Sequence, residues 1–186
     1  MQRADIIVFT GTSGAGRKSI ARLVSAALGM RLIRSATTRP PRQSEQQDED
    51  YHYMSEEEFN RLAQQGAFLQ QVVINRYQYG ILKQDMEQAL AAGGLVGLVL
   101  NREGADAVKR IYGARVVRVF VYVDKTTMQE RLESKGASYE QLASYLDRYA
   151  DEVTYRKHCE YIFENVDLAN TAQLITERLR EVTGAG

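Results

Sequence analysis

The sequence predicts an α/β fold, with a core of parallel sheet flanked by helices, a small mixed β-rich lobe and a helical segment set into it. Three observations lead there. The apolar run Asp5 to Thr10 passes straight into a glycine-rich loop, Gly11-Thr-Ser-Gly-Ala-Gly16, and then into a helical pattern. A continuous apolar run of that length is typical of a strand buried on both faces. Strand and helix patterns alternate again from Lys83 to Val123, the signature of a parallel sheet covered by helices. Between these stretches, where the alternation breaks, stand both prolines and two short β-patterned runs.

Each element has a local reason. Lys18 to Leu28 carries Ile20, Leu23, Val24 and Leu28 at helical spacing, and Met30 to Arg34 is a second strand candidate. In Ser35 to Glu45 the pair Pro40-Pro41 makes extended or turn backbone and forbids helix. Past an acidic, glutamine-rich turn at Gln46 to Asp50, a short strand at Tyr51 to Tyr53 precedes an amphipathic helix opened by the capping-box sequence Ser55-Glu-Glu-Glu58 and stopped near Gly66. Phe68 to Ile74 and Tyr77 to Tyr79 read as antiparallel strands around a tight turn at Asn75-Arg76. Helix Lys83 to Ala92, strand Leu95 to Leu100, helix Gly104 to Tyr112 and strand Val116 to Val123 restore the alternation. Two polar helical stretches, Thr127 to Ser134 and Ser138 to His158, flank Lys135-Gly136, and a strand at Tyr161 to Phe163 leads to a last amphipathic helix, Leu168 to Val182.

Composition narrows the function classes. A chain of 186 residues, 44% hydrophobic, suits one domain with a sizeable core. The 24 basic residues balance 24 acidic ones, so no global basic footprint exists to drive nucleic-acid binding. A single cysteine, Cys159, excludes an internal disulfide framework and reads as a packed core thiol. No basic-then-apolar signal opens the chain, and no apolar run approaches the roughly 20 residues of a spanning helix. A cytoplasmic protein without a membrane or nucleic-acid partner is expected. His52 and His158 lack metal-ligand spacing, so no metal site is expected from them.

The loop carries the first chemistry. Gly11-Thr-Ser-Gly-Ala-Gly-Arg-Lys-Ser19 nearly matches the phosphate-binding pattern G-x-x-x-x-G-K-[ST], in which the lysine meets the β/γ-phosphates and the hydroxyl binds Mg²⁺. Arg17 and Lys18 stand in those two places. Sliding the frame by one residue gives Lys18 and Ser19 the usual roles, at the cost of about 100° of rotation on the helix that begins there.

With Ser35-x-Thr-Thr-Arg39-x-x-Arg42-x-x-Glu45, Asp50-Tyr51, Gly66-x-Phe-Leu69 and Tyr79-Gly80 in order, the chain resembles the guanylate kinases from about Ile6 to its final helix. The resemblance implies a P-loop kinase core (1–34, 83–125 and 159–186), a monophosphate-binding lobe (35–82) and a helical lid (126–158). It also implies that Arg39, Arg42, Tyr51 and Tyr79 grip the phosphate of GMP, with Ser35 and Glu45 in the same site. Guanidinium forks and phenol hydroxyls suit a phosphate mono- or dianion. Ser13, Gly14, Ala15, Gly16, Ser19 and Asn165 match positions around the triphosphate, and ATP is the implied cofactor.

Against the family pattern, Gln70 replaces a carboxylate on the guanine, Ile81 a hydroxyl, Val99 and Asn101 two strand-end carboxylates. Guanine's adjacent N1–H and amino donors suit a carboxylate better than an amide. An unmade buried hydrogen bond costs about 1–3 kcal/mol. Lys18 puts an ammonium where a metal-binding hydroxyl belongs, which counts against a protein-held Mg²⁺. In the lid, Lys135 and Tyr145 replace arginines, with Arg131 and Arg148 close by. Because phosphoryl transfer rests on positioning and electrostatics, these changes point to weakened transfer.

Two readings stand at this level. One is an ATP-dependent nucleoside monophosphate kinase, nominally for GMP, with Arg17, Lys18, Arg131, Lys135 and Arg148 as its cationic transfer residues. The other is a binding module that recognises a nucleotide or a phosphorylated protein partner through the retained clamp.

Overall fold

The structure is a computed structural model and describes residues 4–42, 45 and 49–184. Strand β1 (Ile6–Gly11) forms the middle of a five-stranded, all-parallel sheet of order β2-β7-β1-β8-β9, with β2 Arg31–Leu32, β7 Val96–Val99, β8 Val116–Tyr122 and β9 Tyr161–Glu164. Alternate residues of β1 serve opposite faces. Ile7 and Phe9 pack with Ile20, Val24 and Ile175, whereas Ile6 and Val8 pack with Met86, Leu98, Val108 and Phe120. That two-residue period explains why the strand is apolar throughout: it has no solvent face.

Helices α1 (Arg17–Leu28) and α7 (Leu168–Thr183) cover the first face, and α3 (Lys83–Ala91) and α4 (Arg102–Tyr112) cover the second. A second, mixed sheet of order β4-β3-β6-β5 is built from β3 Ala36–Thr37, β4 His52–Tyr53, β5 Phe68–Ile74 and β6 Tyr77–Leu82. Helix α2 (Glu56–Gln64) packs on it through Phe59, whose ring stacks on Phe68 at 4.3 Å. Helices α5 (Lys125–Ser134) and α6 (Tyr139–Thr154) follow β8, and Ser138 caps α6 with the full reciprocal capping box to Gln141.

The expected elements are present with shifted ends. The strand expected at Met30 to Arg34 shortens to Arg31–Leu32, and the helix expected from Gly104 starts at Arg102, because the Asn101 side chain accepts from Gly104 N–H and caps it. The long helix expected up to His158 ends at Thr154, followed by a 3-10 turn over Tyr155–His158. The two-residue strand β3, in a segment read as proline-governed, was not expected; it pairs with both β4 and β6. The turn expected at Gln46 to Asp50 lies partly outside the described residues.

Two backbone positions carry information. Gly11, at φ 139°, approaches β8 so closely that a Cβ would lie 1.8 Å from the Val121 carbonyl oxygen. Asn75 and Arg76 both have positive φ, 48° and 67°, the two-residue hairpin turn whose second position favours glycine. Replacing Arg76 with glycine is expected to stabilise the protein by about 0.5 kcal/mol, as relief of left-handed strain outweighs the added entropy of the unfolded chain. A urea midpoint that falls in Arg76→Gly contradicts this.

Candidate functional site

The parallel strands β1, β7 and β8 end side by side, and crevices at that edge of an open α/β sheet are where ligands bind. The glycine loop starts there. Gly14 and Gly16 sit at φ 71° and 78°, so the chain turns tightly and α1 begins at Arg17 with no side-chain cap, leaving its first N–H groups directed into the loop. A Cβ on Gly16 would lie 2.9 Å from Asn165 Nδ2. Asn165, buried at the end of β9, donates from Nδ2 to the Ala15 carbonyl at 2.7 Å and so braces the loop from beneath.

Around this loop the expected residues divide. Arg17 Nη1 reaches the Leu100 carbonyl at 3.4 Å, at the end of β7. Lys18 turns the other way, toward the second sheet, and Ser19 is exposed. Ser13 donates its N–H and its hydroxyl to the Glu152 carboxylate of α6, at 2.8 and 2.9 Å. Arg131 of α5 donates to the Asn165 carbonyl at 2.8 Å. Arg148 donates to Ser144 of its own helix and lies over the Tyr145 ring, and Lys135 is exposed just past α5. The loop, Arg17, Arg131 and Asn165 therefore share one neighbourhood.

Opposite the loop, Arg39, Glu45, Tyr51 and Tyr79 come together. Arg39 Nη2 lies 2.9 and 2.7 Å from the two Glu45 oxygens, and Nη1 donates to the Pro40 carbonyl at 2.8 Å. Its guanidinium stands 5.4 Å from the Tyr51 ring centroid, and Tyr51 meets Tyr79 edge to face at 6.0 Å. Arg42 gives Glu45 its backbone N–H at 3.0 Å while its side chain is exposed. Burial alone raises a carboxyl pKa, but here the Arg42 N–H, the Arg39 guanidinium and the Tyr53 hydroxyl outweigh it and hold Glu45 at about 2. Arg39 is pushed up by Glu45 against the opposing effect of its own burial. Burial raises Tyr79, with Arg39 pulling the other way.

Gln70 and Asn101 form a third group. The register between β5 and β6 shifts between Phe68 and Gln70, a bulge that re-aims the side chain. A Cβ built on Gly104 would lie 3.4 Å from Gln70 Oε1 and 3.3 Å from Asn101 Oδ1, so the two amides adjoin at the start of α4. Asn101 is spent on its neighbours: Oδ1 accepts from Gly104 N–H and Nδ2 donates to Glu103 at 2.6 Å. Gln70 Oε1 is buried without a hydrogen-bond partner. Ile81, its cross-strand neighbour, is fully buried. Ser35, whose carbonyl accepts from His52 N–H, lines a cleft of about 60 Å³ with Lys18, Asp50, Tyr51 and Val99.

Sequence reasoning gave no role to Glu152, Tyr53 or Arg22, nor to Asp50, which it quoted only as part of the Asp50-Tyr51 motif. Asp50 meets Arg22 at 2.6 Å and Lys18 at 3.3 Å, which links α1 to the second sheet. Tyr53 alternates with Tyr51 across a strand signal and was legible; Glu152, 139 residues from Ser13, had no local signal. Cys159 is half-buried, and burial pushes its thiol up to about 12, as expected of an inert thiol.

Glu45 fixes a pH dependence. Its folded pKa of about 2 lies below the ordinary 4.5, so the unfolded chain binds its proton more tightly and folding gains stability above the higher value. That contribution is lost as pH falls from 4.5 toward 2. Glu45→Gln is expected to lower stability at neutral pH and to flatten the acid limb of denaturant midpoints in that window. An acid limb as steep as that of the wild type contradicts the assignment.

Comparison with known proteins places this geometry. The guanylate kinase family model matches residues 3–182. The chain is 35% identical to guanylate kinase of Salinibacter ruber, over 97% of this chain and 98% of the relative. It is 31% identical to guanylate kinase of Chlorobaculum tepidum, over 97% and 94%. A crystal structure of guanylate kinase from Anaplasma phagocytophilum shares the fold, with a TM-score of 0.78 at 23% identity, covering 97% of this chain and 87% of that one. The glycine loop, the Arg39–Glu45 cluster and the two sheets that carry them thus sit in a chain that belongs to the guanylate kinase family.

Proposed function

We propose that the protein transfers the γ-phosphoryl group of ATP to the phosphate of GMP. The observation that carries this reading is the convergence of Arg39, Tyr51 and Tyr79 on one cluster, ordered by Glu45 and joined to the first turn of α1, just past the glycine loop, through Lys18. In this reading residues 35–82 form the acceptor lobe and 126–158 the lid. Loop N–H groups and Arg17 hold the donor's phosphates, and Arg39, Arg42, Tyr51 and Tyr79 hold the acceptor's. An acceptor phosphate oxygen attacks the γ-phosphorus, a new P–O bond forms, the bond to the β,γ-bridging oxygen breaks, and ADP leaves. Catalysis there is positioning plus charge stabilisation. Arg131 and Arg148 supply lid cations, Arg131 by exchanging the Asn165 carbonyl for phosphoryl oxygens.

The family implies Mg²⁺ with the donor, and this chain's residues do not fit a protein-held ion. Lys18 occupies the hydroxyl's position and turns to Asp50; Val99 and Asn101 stand at the strand end, and Asn101 is committed to capping α4. Among the described residues no group of three His, Cys, Asp or Glu side chains is placed to hold a metal. An octahedral Mg²⁺ would be carried by nucleotide phosphates and water. These departures, with Gln70 at the base, lead us to infer turnover below the enzyme median of about 10 s⁻¹.

An ADP-release assay with GMP and other monophosphates tests this. GMP-dependent ADP release is expected; none, together with calorimetric binding of a phosphoserine peptide, would favour the binding-module reading. Gln70→Glu is expected to raise kcat/KM for GMP by at least about fivefold, because a carboxylate accepts both N1–H and the amino group. The gain on IMP, which lacks that amino group, is expected to be smaller. Equal gains would place Gln70 away from the base.

A further inference from the structure

Lys18 lies within the phosphate-loop pattern, yet its side chain is not placed as that pattern places it. In that pattern its place holds a hydroxyl beside the donor's phosphates. Here its ammonium sits 3.8 Å from the Tyr51 ring centroid, 3.3 Å from Asp50 and 3.6 Å from Glu45, on the same ring that Arg39 overlies.

We propose that Lys18 is a ligand of the acceptor's phosphate, held in the free protein by Asp50, Glu45 and the Tyr51 ring until that phosphate arrives. The proposal rests on the monophosphate kinase reading above and assigns Lys18 to the acceptor rather than the donor. Three observations support it. The first is that Lys18 can leave without stranding a charge. Asp50 keeps Arg22 at 2.6 Å, and Glu45 keeps Arg39, the Tyr53 hydroxyl and the Arg42 N–H.

The second is that its present bonds are weak. At 34% side-chain exposure and 3.3 to 3.6 Å, its ion pairs are long and screened, and such pairs contribute little. A phosphate dianion offers shorter, charge-assisted hydrogen bonds to a compact ammonium with three rotatable donors. The third is the state of the cleft. The space between Lys18, Ser35, Asp50 and Tyr51 is about 60 Å³, far below the roughly 300 Å³ and more of ordinary ligand pockets. Lys18 and Arg22 bridge that space to Asp50, so Lys18 stands at its edge with Ser35 and, at the same Tyr51 ring, beside Arg39.

The test is calorimetric titration of GMP and, separately, of ATP into the wild type, Lys18→Ser and Lys18→Arg, with EDTA present to remove divalent metals. Lys18→Ser is expected to weaken GMP by about tenfold, the loss of one charged hydrogen-bond partner. Lys18→Arg should stay within about threefold of the wild type, since the charge is kept. ATP affinity should change less than GMP affinity in both. Higher salt should erode GMP binding more steeply in the wild type than in Lys18→Ser. A serine variant that binds GMP as well as the wild type, or that loses ATP instead, overturns the assignment while leaving the kinase reading intact. A wild type that binds no GMP removes that reading and this assignment together.

Discussion

Glu45 and Arg39 meet with both side chains 11% exposed, and Arg39 Nη2 lies within 2.9 Å of each carboxylate oxygen. A carboxylate so placed is costly unless its lone pairs are filled. Here the Arg42 N–H and the Tyr53 hydroxyl fill what Arg39 leaves, and the group stays ionised. The consequence is geometric as much as energetic. A buried, fully bonded carboxylate fixes a guanidinium over Tyr51 and beside Tyr79 before any ligand is present. Ordering a long side chain on binding costs about 0.5–1.5 kcal/mol, and for Arg39 that cost is met on folding.

The two halves of the site depend on each other through α1. Its N-terminus forms the glycine loop, and its next turn sends Lys18 and Arg22 to Asp50 on the other side of the cleft. The loop also carries an anion of its own, the Glu152 carboxylate on Ser13. The glycine loop thus meets a carboxylate from elsewhere in the chain, Glu152 of α6, and the first turn of α1 meets Glu45 and Asp50 beside the second sheet. The Lys18 pairs to Glu45 and Asp50 are long, 3.6 and 3.3 Å, with the lysine partly exposed, so a more highly charged ligand can displace them at small cost.

Much of this was legible because it is local. The strand, loop and helix around Gly11 to Leu28 follow from an apolar run, positive-φ glycines and helical spacing within 20-odd residues. The Asn75-Arg76 turn was legible for the same reason, since two strands separated by two residues admit few connections. The Arg39, Glu45, Tyr51 and Tyr79 cluster was legible as a spaced motif rather than as a geometry. Nothing in Arg39-x-x-Arg42 says that Arg42 contributes its backbone N–H to Glu45 while its side chain stays exposed. The rest depends on register and long-range contact. The bulge before Gln70, the two-residue strand β3, and the Ser13–Glu152 and Lys18–Asp50 pairs are fixed by tertiary packing between segments 16 to 139 residues apart, or by a one-residue shift that no local propensity encodes.

The central claim is that folding prepares a cationic, phenol-lined clamp for a phosphate dianion. Phosphorus NMR of GMP bound to the wild-type protein, followed as pH is lowered, addresses it without reference to turnover. Free phosphate monoesters take up their second proton near pH ~6. A clamp of this charge should favour the dianion and displace that value downward by about one unit or more. A bound phosphate that titrates as it does free in solution would contradict the account.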